Sequence, residues 1–179
     1  MPDSFTLFET PLGTGAIAWN ERGVSGVQLP EPDAARVRAR LKRRFPDSLE
    51  SAPAPAIRQA IDGITALLRG EPSDLSGVHL DMDRVDAFER RVYEVARTIP
   101  AGETASYGQL ASRLGDPRLA REVGQALARN PFPIVVPCHR VIAARGGLGG
   151  FSARGGVATK QRLLSIEQAN VSWQLPLEA

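Results

Sequence analysis

Short alternating apolar runs open the chain. Residues 5–9, 15–19 and 24–29 each read as a strand, and the breaks at Pro11-Leu12-Gly13 and Asn20-Glu21-Arg22-Gly23 predict an antiparallel meander. The period then changes from two to about 3.6. Ala34, Val37, Leu41 and Phe45 recur at helical spacing, with Arg36, Arg38, Arg40, Lys42, Arg43 and Arg44 on the remaining faces, which predicts an amphipathic surface helix over 33–45. A Pro/Ser/Ala stretch at 46–55 reads as a linker to a second helix over 56–68, closed by Gly70-Glu71-Pro72-Ser73. Residues 75–82 alternate weakly and predict an edge strand. His79 falls within it as a structural or exposed histidine.

From Asp86 onward the pattern is one of closely spaced helices. Asp86 is placed to cap a helix through Phe88, Val92, Val95 and Ala96 to Ile99, where Pro100-Ala101-Gly102 stops it. Ser106 is placed to cap a helix over 107–114. Gly115 breaks the chain, and Pro117 opens a further helix to about Arg129. Two short helices around a tight turn describe a helix-turn-helix, a pattern that many helical proteins share. The expected fold is therefore α+β: a small N-terminal antiparallel sheet with helices over 1–82, a mainly helical unit over 83–169, and a tail over 170–179.

Composition narrows the class. The chain has 179 residues, 42% of them apolar, and a net charge of only +2, as a soluble globular protein would. No apolar run approaches the roughly 20 residues of a membrane span, and no basic segment followed by an apolar one begins the chain. The expectation is a cytoplasmic (or nucleoid or nuclear) protein with no membrane association. The charge is unevenly spread. Residues 1–83 hold 9 Lys and Arg against 12 Asp and Glu, whereas residues 84–168 hold 13 against 7. An excess of cations in the second half suits a polyanionic partner or a solvated surface. For the arginine run over 36–44, the expected reading is a solvated helix face.

Candidate chemistry centres on the one cysteine, Cys138, which sits in Pro137-Cys138-His139-Arg140-Val141 beside one of only two histidines. A lone thiol can neither close an intramolecular disulfide nor complete a four-cysteine zinc site. It is either inert packing or a nucleophile. β-branched Val135 and Val136, flanked by prolines, predict an extended approach that holds the thiol on a stiff wall. Attack requires the thiolate, so a base must lie within reach, and His139 is the only histidine in this region. Neighbours on a regular strand face opposite ways, so a Cys138–His139 partnership predicts a turn or helical start at Cys138, or a bridging water. Glu167 is the only acidic residue between Asn130 and the tail, and hence the only local candidate to orient the imidazole.

Several ordered blocks carry a family resemblance: Ile99-Pro100-Ala101-Gly102-Glu103-Thr104 followed by Ser106-Tyr107; Ala120-Arg121-Glu122-Val123-Gly124; Asn130-Pro131; Pro137-Cys138-His139-Arg140-Val141; and Lys160 with Leu163-Leu164 and Glu167. Residues 88–169 resemble the active domain of the O6-alkylguanine-DNA alkyltransferases, the methylated-DNA–protein-cysteine methyltransferases. The resemblance implies that Cys138 attacks the alkyl carbon on guanine O6, and on thymine O4, and keeps the group irreversibly. It implies His139 as acceptor of the thiol proton through a water, Glu167 as its orienting carboxylate, and Tyr107 as a phenol assisting nucleotide rotation and proton supply. Arg121 resembles the side chain that enters the DNA stack when the damaged base is flipped out, with Ala120, Gly124, Ser106 and Tyr107 along the DNA-binding surface. Asn130 resembles a structural hinge. Pro137, Val141, Phe151, Ser152, Gly155 and Gly156 are implied as the substrate pocket. The implied partner is double-stranded alkylated DNA, gripped in the minor groove by a monomer, with no cofactor. The N-terminal part is implied to be ribonuclease-H-like.

The chain departs from the family pattern in places. Phe151 stands where a tyrosine is common, the Gly155-Gly156 pair arrives about two residues late, and Glu122 sits beside Arg121 where a small residue is common. Members with a zinc in the N-terminal domain use cysteines and histidines there; this chain has no cysteine before Cys138, so no metal is expected. The rival readings are a non-reacting sensor of alkylated DNA, a helix-turn-helix regulator and a cysteine hydrolase.

Overall fold

The computed structural model describes residues 2–153 and 155–169. The fold is α+β, and the chain divides into two compact units. The first takes the chain as far as Arg84 together with Pro131–Val135; the second takes Val85–Asn130 and the chain from Val136 onward. The division thus falls between Arg84 and Val85, and the five residues Pro131–Val135 belong with the first unit rather than with the 83–169 segment expected from sequence. Among the described residues no helix is long and apolar enough to cross a membrane.

In the first unit, β1 (Ser4–Thr10), β2 (Gly13–Asn20) and β3 (Gly23–Glu31) form the expected meander. The sheet order is β3-β2-β1-β4. Its fourth strand, β4 (Leu49–Glu50), pairs parallel with β1 from inside the stretch that composition marks as a linker. A two-residue parallel pairing leaves no periodic signature in the sequence. The turn into β2 needs Gly13: its φ is +119°, and a Cβ there would run into the Glu31 backbone. Helix α1 (Ala34–Arg44) is capped by Asp33 and buries Val37 and Leu41 in a core with Phe5, Ala16, Ala18 and Phe45. Helix α2 (Pro55–Leu68) buries Ile57, Ala60, Ile64, Leu67 and Leu68.

Acids of the same unit hold much of the arginine run. Arg36 pairs with Asp33, Arg38 with Glu50 and Arg40 with Glu31, while Lys42 donates to the Ser48 carbonyl. Arg44 donates to the carbonyls of Val27 and Pro131, and the Val27 amide donates to the same Pro131 oxygen. The edge strand expected over 75–82 shrinks to one bridge, Val24 with Leu80. Asp81 ends it. Its buried side chain is captured by Asn20, Arg22 and the Asp83 amide, which turns the chain away from β3. His79 is exposed.

In the second unit, α3 (Ala87–Ala96) is capped by Asp86 and stops three residues short of the expected Ile99. The last turn tightens: Thr98 and Ile99 donate to Val95 and Ala96, because the residue before Pro100 is disfavoured in the α conformation. Ser106 and Gln109 close a full capping box on α4 (Tyr107–Arg113). A single 3-10 turn at Pro117–Leu119 then leads into α5 (Ala120–Ala128). Tyr93 lies fully buried and its hydroxyl donates to the Ala126 carbonyl, locking α3 to α5. Two short parallel strands, β5 (Ala105–Ser106) and β6 (Val141–Ile142), bring the start of α4 beside the segment that follows Cys138. Helix α6 (Gly156–Ile166) completes the unit.

Candidate active site

The backbone aims Cys138 by a succession of tight turns. Ile134 sits at φ +75°, in the left-handed region that a β-branched residue enters only under compulsion, and it is buried. A turn at Ile134 and Val135 therefore interrupts the extended run expected through Val135 and Val136. Pro137, at φ −80° and ψ 65°, is the centre of an inverse γ-turn closed by the Cys138 amide on the Val136 carbonyl at 2.8 Å. The Asn130 side chain donates to that same carbonyl at 2.9 Å, so it braces the turn from the end of α5. Cys138–Arg140 then form one 3-10 turn before β6. Because this turn is not a regular strand, Cys138 and His139 escape the opposite-face rule.

The two residues that follow Cys138 both bond Glu167. His139 is fully buried, and its Nε2 lies 2.9 Å from Glu167 Oε1 at the end of α6. Burial alone would push the Glu167 carboxyl up, yet hydrogen bonds from His139 and Arg140, and the charge of Arg140, hold it at about 2. An ionised carboxylate only accepts, so the ring proton belongs on Nε2 and Nδ1 presents a lone pair. That Nδ1 is buried and has no hydrogen-bond partner among the described residues. Burial also lowers the imidazole's own pKa despite Glu167, so His139 rests neutral. Cys138 is pushed up by burial, with Asn130 and Lys160 opposing, so it rests as the thiol. The arrangement stores an unreactive thiol beside a neutral base.

In front of the thiol lies a cleft of about 850 Å³. Cys138 lines it together with Ser106, Tyr107, Ala120, Arg121 and Gly124, which come from the α4 and α5 region, and with Phe151 and Ser152 opposite them. The Ser152 hydroxyl donates to the Ala128 carbonyl, tying that wall to the end of α5. Arg121 is exposed; so is Glu122, which does not line the cleft. Four expected pocket residues do not line it either. Pro137 and Val141 are buried, the one centring the γ-turn and the other belonging to β6. Gly155 and Gly156 start α6 at φ +84° and +54°, so their glycine character serves the helix entry rather than the cleft.

Three residues with no role assigned from the sequence belong to the site. Lys160 is fully buried, donating to the carbonyls of Val141 and Gly150 and lying 3.4 Å from the Tyr107 hydroxyl. Burial pulls its pKa down to about 8, with Cys138 opposing. Burial raises that of Tyr107, and Cys138 adds to the shift. Gly149, at φ +70°, packs so closely on Tyr107 that a Cβ would meet its hydroxyl at 2.8 Å. Arg140 holds Glu167 by both carboxylate oxygens. A buried Lys beside an aromatic is the kind of signal that only three-dimensional placement reveals, since lysine is ordinarily a surface residue.

Residues 87–169 match the family described as 6-O-methylguanine DNA methyltransferase, DNA binding domain. Over 164 residues the chain is 35% identical to a methylated-DNA–protein-cysteine methyltransferase of Methanothermobacter thermautotrophicus, covering 92% of this chain and 85% of that one. The chain belongs to the methylated-DNA–protein-cysteine methyltransferase family. Another relative of these methyltransferases, the bifunctional transcriptional activator/DNA repair enzyme Ada of Escherichia coli, is 37% identical over 93% of this chain. The chain spans about half of that protein, 46% of its length. Among solved methyltransferase structures, the Mycobacterium tuberculosis OGT in complex with DNA matches with a TM-score of 0.74, 33% identity and 92% of each chain covered.

Proposed function

We propose that this chain repairs alkylated DNA by moving the alkyl group from guanine O6, and from thymine O4, onto Cys138, once per molecule. The observation that carries the reading is the buried His139, hydrogen-bonded to Glu167 and next in the chain to the Cys138 that lines the cleft. The S–C bond forms as the C–O6 bond breaks. The thiol proton passes to His139 Nδ1, directly or through one water, and the Tyr107 hydroxyl supplies a proton to the departing guanine. That hydroxyl is replenished from Lys160, whose pKa of about 8 suits proton exchange near neutrality. The thioether product is a poor leaving group, so the acceptor is consumed. The balance closes without a cofactor.

An alkyl carbon on O6 is shielded within a duplex, so the nucleotide must leave the stack, at a cost of a few kcal/mol. Helices α4 and α5 act as a helix-turn-helix that lies in the minor groove, with Arg121 entering the stack to offset part of that cost. The protein works as a monomer on double-stranded DNA. Contacts go to phosphates and groove shape, as damage at any sequence requires. Replacing Arg121 by alanine is expected to slow transfer from a methylated duplex by about tenfold or more, a fraction of the unstacking cost, while transfer from the free methylated base changes little. Equal losses on both substrates would remove the wedge from the reading.

Intact mass before and after incubation with an excess of O6-methylguanine duplex tests the whole reading. One added CH2 per molecule, located on the Cys138 peptide, is the expected result. Tight binding of the methylated duplex with no mass change would make the protein a damage sensor instead, and repeated turnover would make it another kind of enzyme.

A further inference from the structure

Resting on the reading that His139 is the base for Cys138, we propose that Arg140 is a positioning residue for the transfer, gripping Glu167 with two prongs so that the carboxylate can orient His139. Arg140 stands in the block around Cys138, but the sequence gives it no role. Its placement does. Arg140 is 7% exposed, and each of its three nitrogens has a protein acceptor: Nε reaches Glu167 Oε2 at 3.0 Å, Nη2 reaches Glu167 Oε1 at 2.7 Å, and Nη1 reaches the Ile99 carbonyl at 2.7 Å. The guanidinium therefore joins the turn carrying Cys138 to the end of α6 and to the chain that leaves α3. Glu167 Oε1 is shared, accepting from Arg140 and from His139 Nε2 at once.

That sharing gives Arg140 more than a bracing role. A carboxylate with 1% of its side chain exposed, left with a neutral imidazole as its only partner, would bind a proton rather than stay ionised in so dry a place. The Glu167–His139 pair would then rest with that proton already aboard, and a protonated pair cannot take another from the thiol. Fixed positive charge from Arg140, which cannot be titrated away, keeps the pair empty until the thiol proton arrives. The other charged or titratable groups around the imidazole are Lys160 of α6 and Cys138 itself. Lys160 approaches neither oxygen of Glu167 within hydrogen-bond reach, since its bonds go to Val141, Gly150 and Tyr107.

The test is the single-turnover transfer rate from methylated duplex against pH, in the wild type, Arg140→Gln and Arg140→Lys, beside an NMR titration of the ring of His139. The chain has only two histidines, and exposed His79 serves as the internal reference. In Arg140→Gln, the acid limb of the rate profile and the His139 titration are both expected to move up by about one pH unit or more, which costs about tenfold in rate on that limb. A lysine carries the charge but cannot span both oxygens, so Arg140→Lys is expected to fall between the two. A loss of rate equal at every pH, with the His139 titration unmoved, would reduce Arg140 to a structural brace and overturn the proposal. Should the glutamine variant not fold, the lysine variant decides, and a limb coinciding with that of the wild type overturns it. The titration is read without any transfer, so it judges Arg140 even where a wild type that adds no methyl has already refuted the proposed function.

Discussion

Replacement of Cys138 by serine is expected to abolish methyl transfer while leaving the fold and the binding of methylated duplex in place. The change is small in volume, and position 138 is already in a 3-10 turn that any residue can adopt. The chemistry is another matter. An alcohol is far less acidic than a thiol, and the burial that already pushes the Cys138 thiol up would penalise an alkoxide still more. A buried imidazole whose basicity is itself lowered by burial is too weak a base to overcome that gap. After prolonged incubation with excess methylated duplex, the intact mass should be unchanged. Methyl transfer persisting in Cys138→Ser would move the acceptor elsewhere and sink the assignment.

The second large effect is expected at His139. With glutamine there, the proposed acceptor of the thiol proton is gone, and transfer is expected to wait for thiolate formed by solvent. General-base contributions of this kind amount to roughly 10²–10⁴ in rate, and a loss in that range is expected near neutral pH. The sign of the pH dependence separates this from a mere packing defect. In the wild type His139 must be neutral to accept, and its pKa is lowered, so the rate holds level through neutrality and falls only as acid protonates the ring below its ordinary range. The variant has no such plateau. Because the thiol pKa is raised, its thiolate fraction, and with it the rate, is expected to climb about tenfold per pH unit through neutral and mildly alkaline solution. A His139→Gln variant with the same level profile as the wild type would show that the imidazole is not the base.

Much of this architecture was legible in the chain because it depends on local signals. The meander follows from period-two apolar runs between glycine-bearing turns, and α1, α3 and α4 begin at the acid or hydroxyl that caps them. The thiol, its neighbouring histidine and the one acid within reach were likewise found by counting residue types near Cys138. What escaped depends on tertiary placement. The strand expected over 75–82 fails because the Asp81 side chain finds Asn20 and Arg22, some sixty positions away in the sequence. The left-handed turn at Ile134 contradicts the preference of a β-branched residue, and no local pattern announces it. Lys160 and Arg140 stand in the blocks that carry the resemblance, but their burial and partners follow only from the fold. Pro137, Val141, Gly155 and Gly156 sit close in sequence to cleft residues, but the γ-turn, β6 and the entry to α6 claim them for other purposes.

The return of Pro131–Val135 to the first unit bears on how this chain can be divided. The polypeptide passes from one unit to the other at Arg84, at Asn130 and again at Val135, so no single cut separates them. A fragment starting at Val85 would retain Phe132, Ile134 and Val135, all buried in the intact chain, without the sheet whose Val27 amide and Arg44 side chain hold the Pro131 carbonyl. The three residues that lead into the γ-turn before Cys138 would lose their lodging. A fragment starting at Val85 is therefore expected to unfold at a lower temperature than the intact chain.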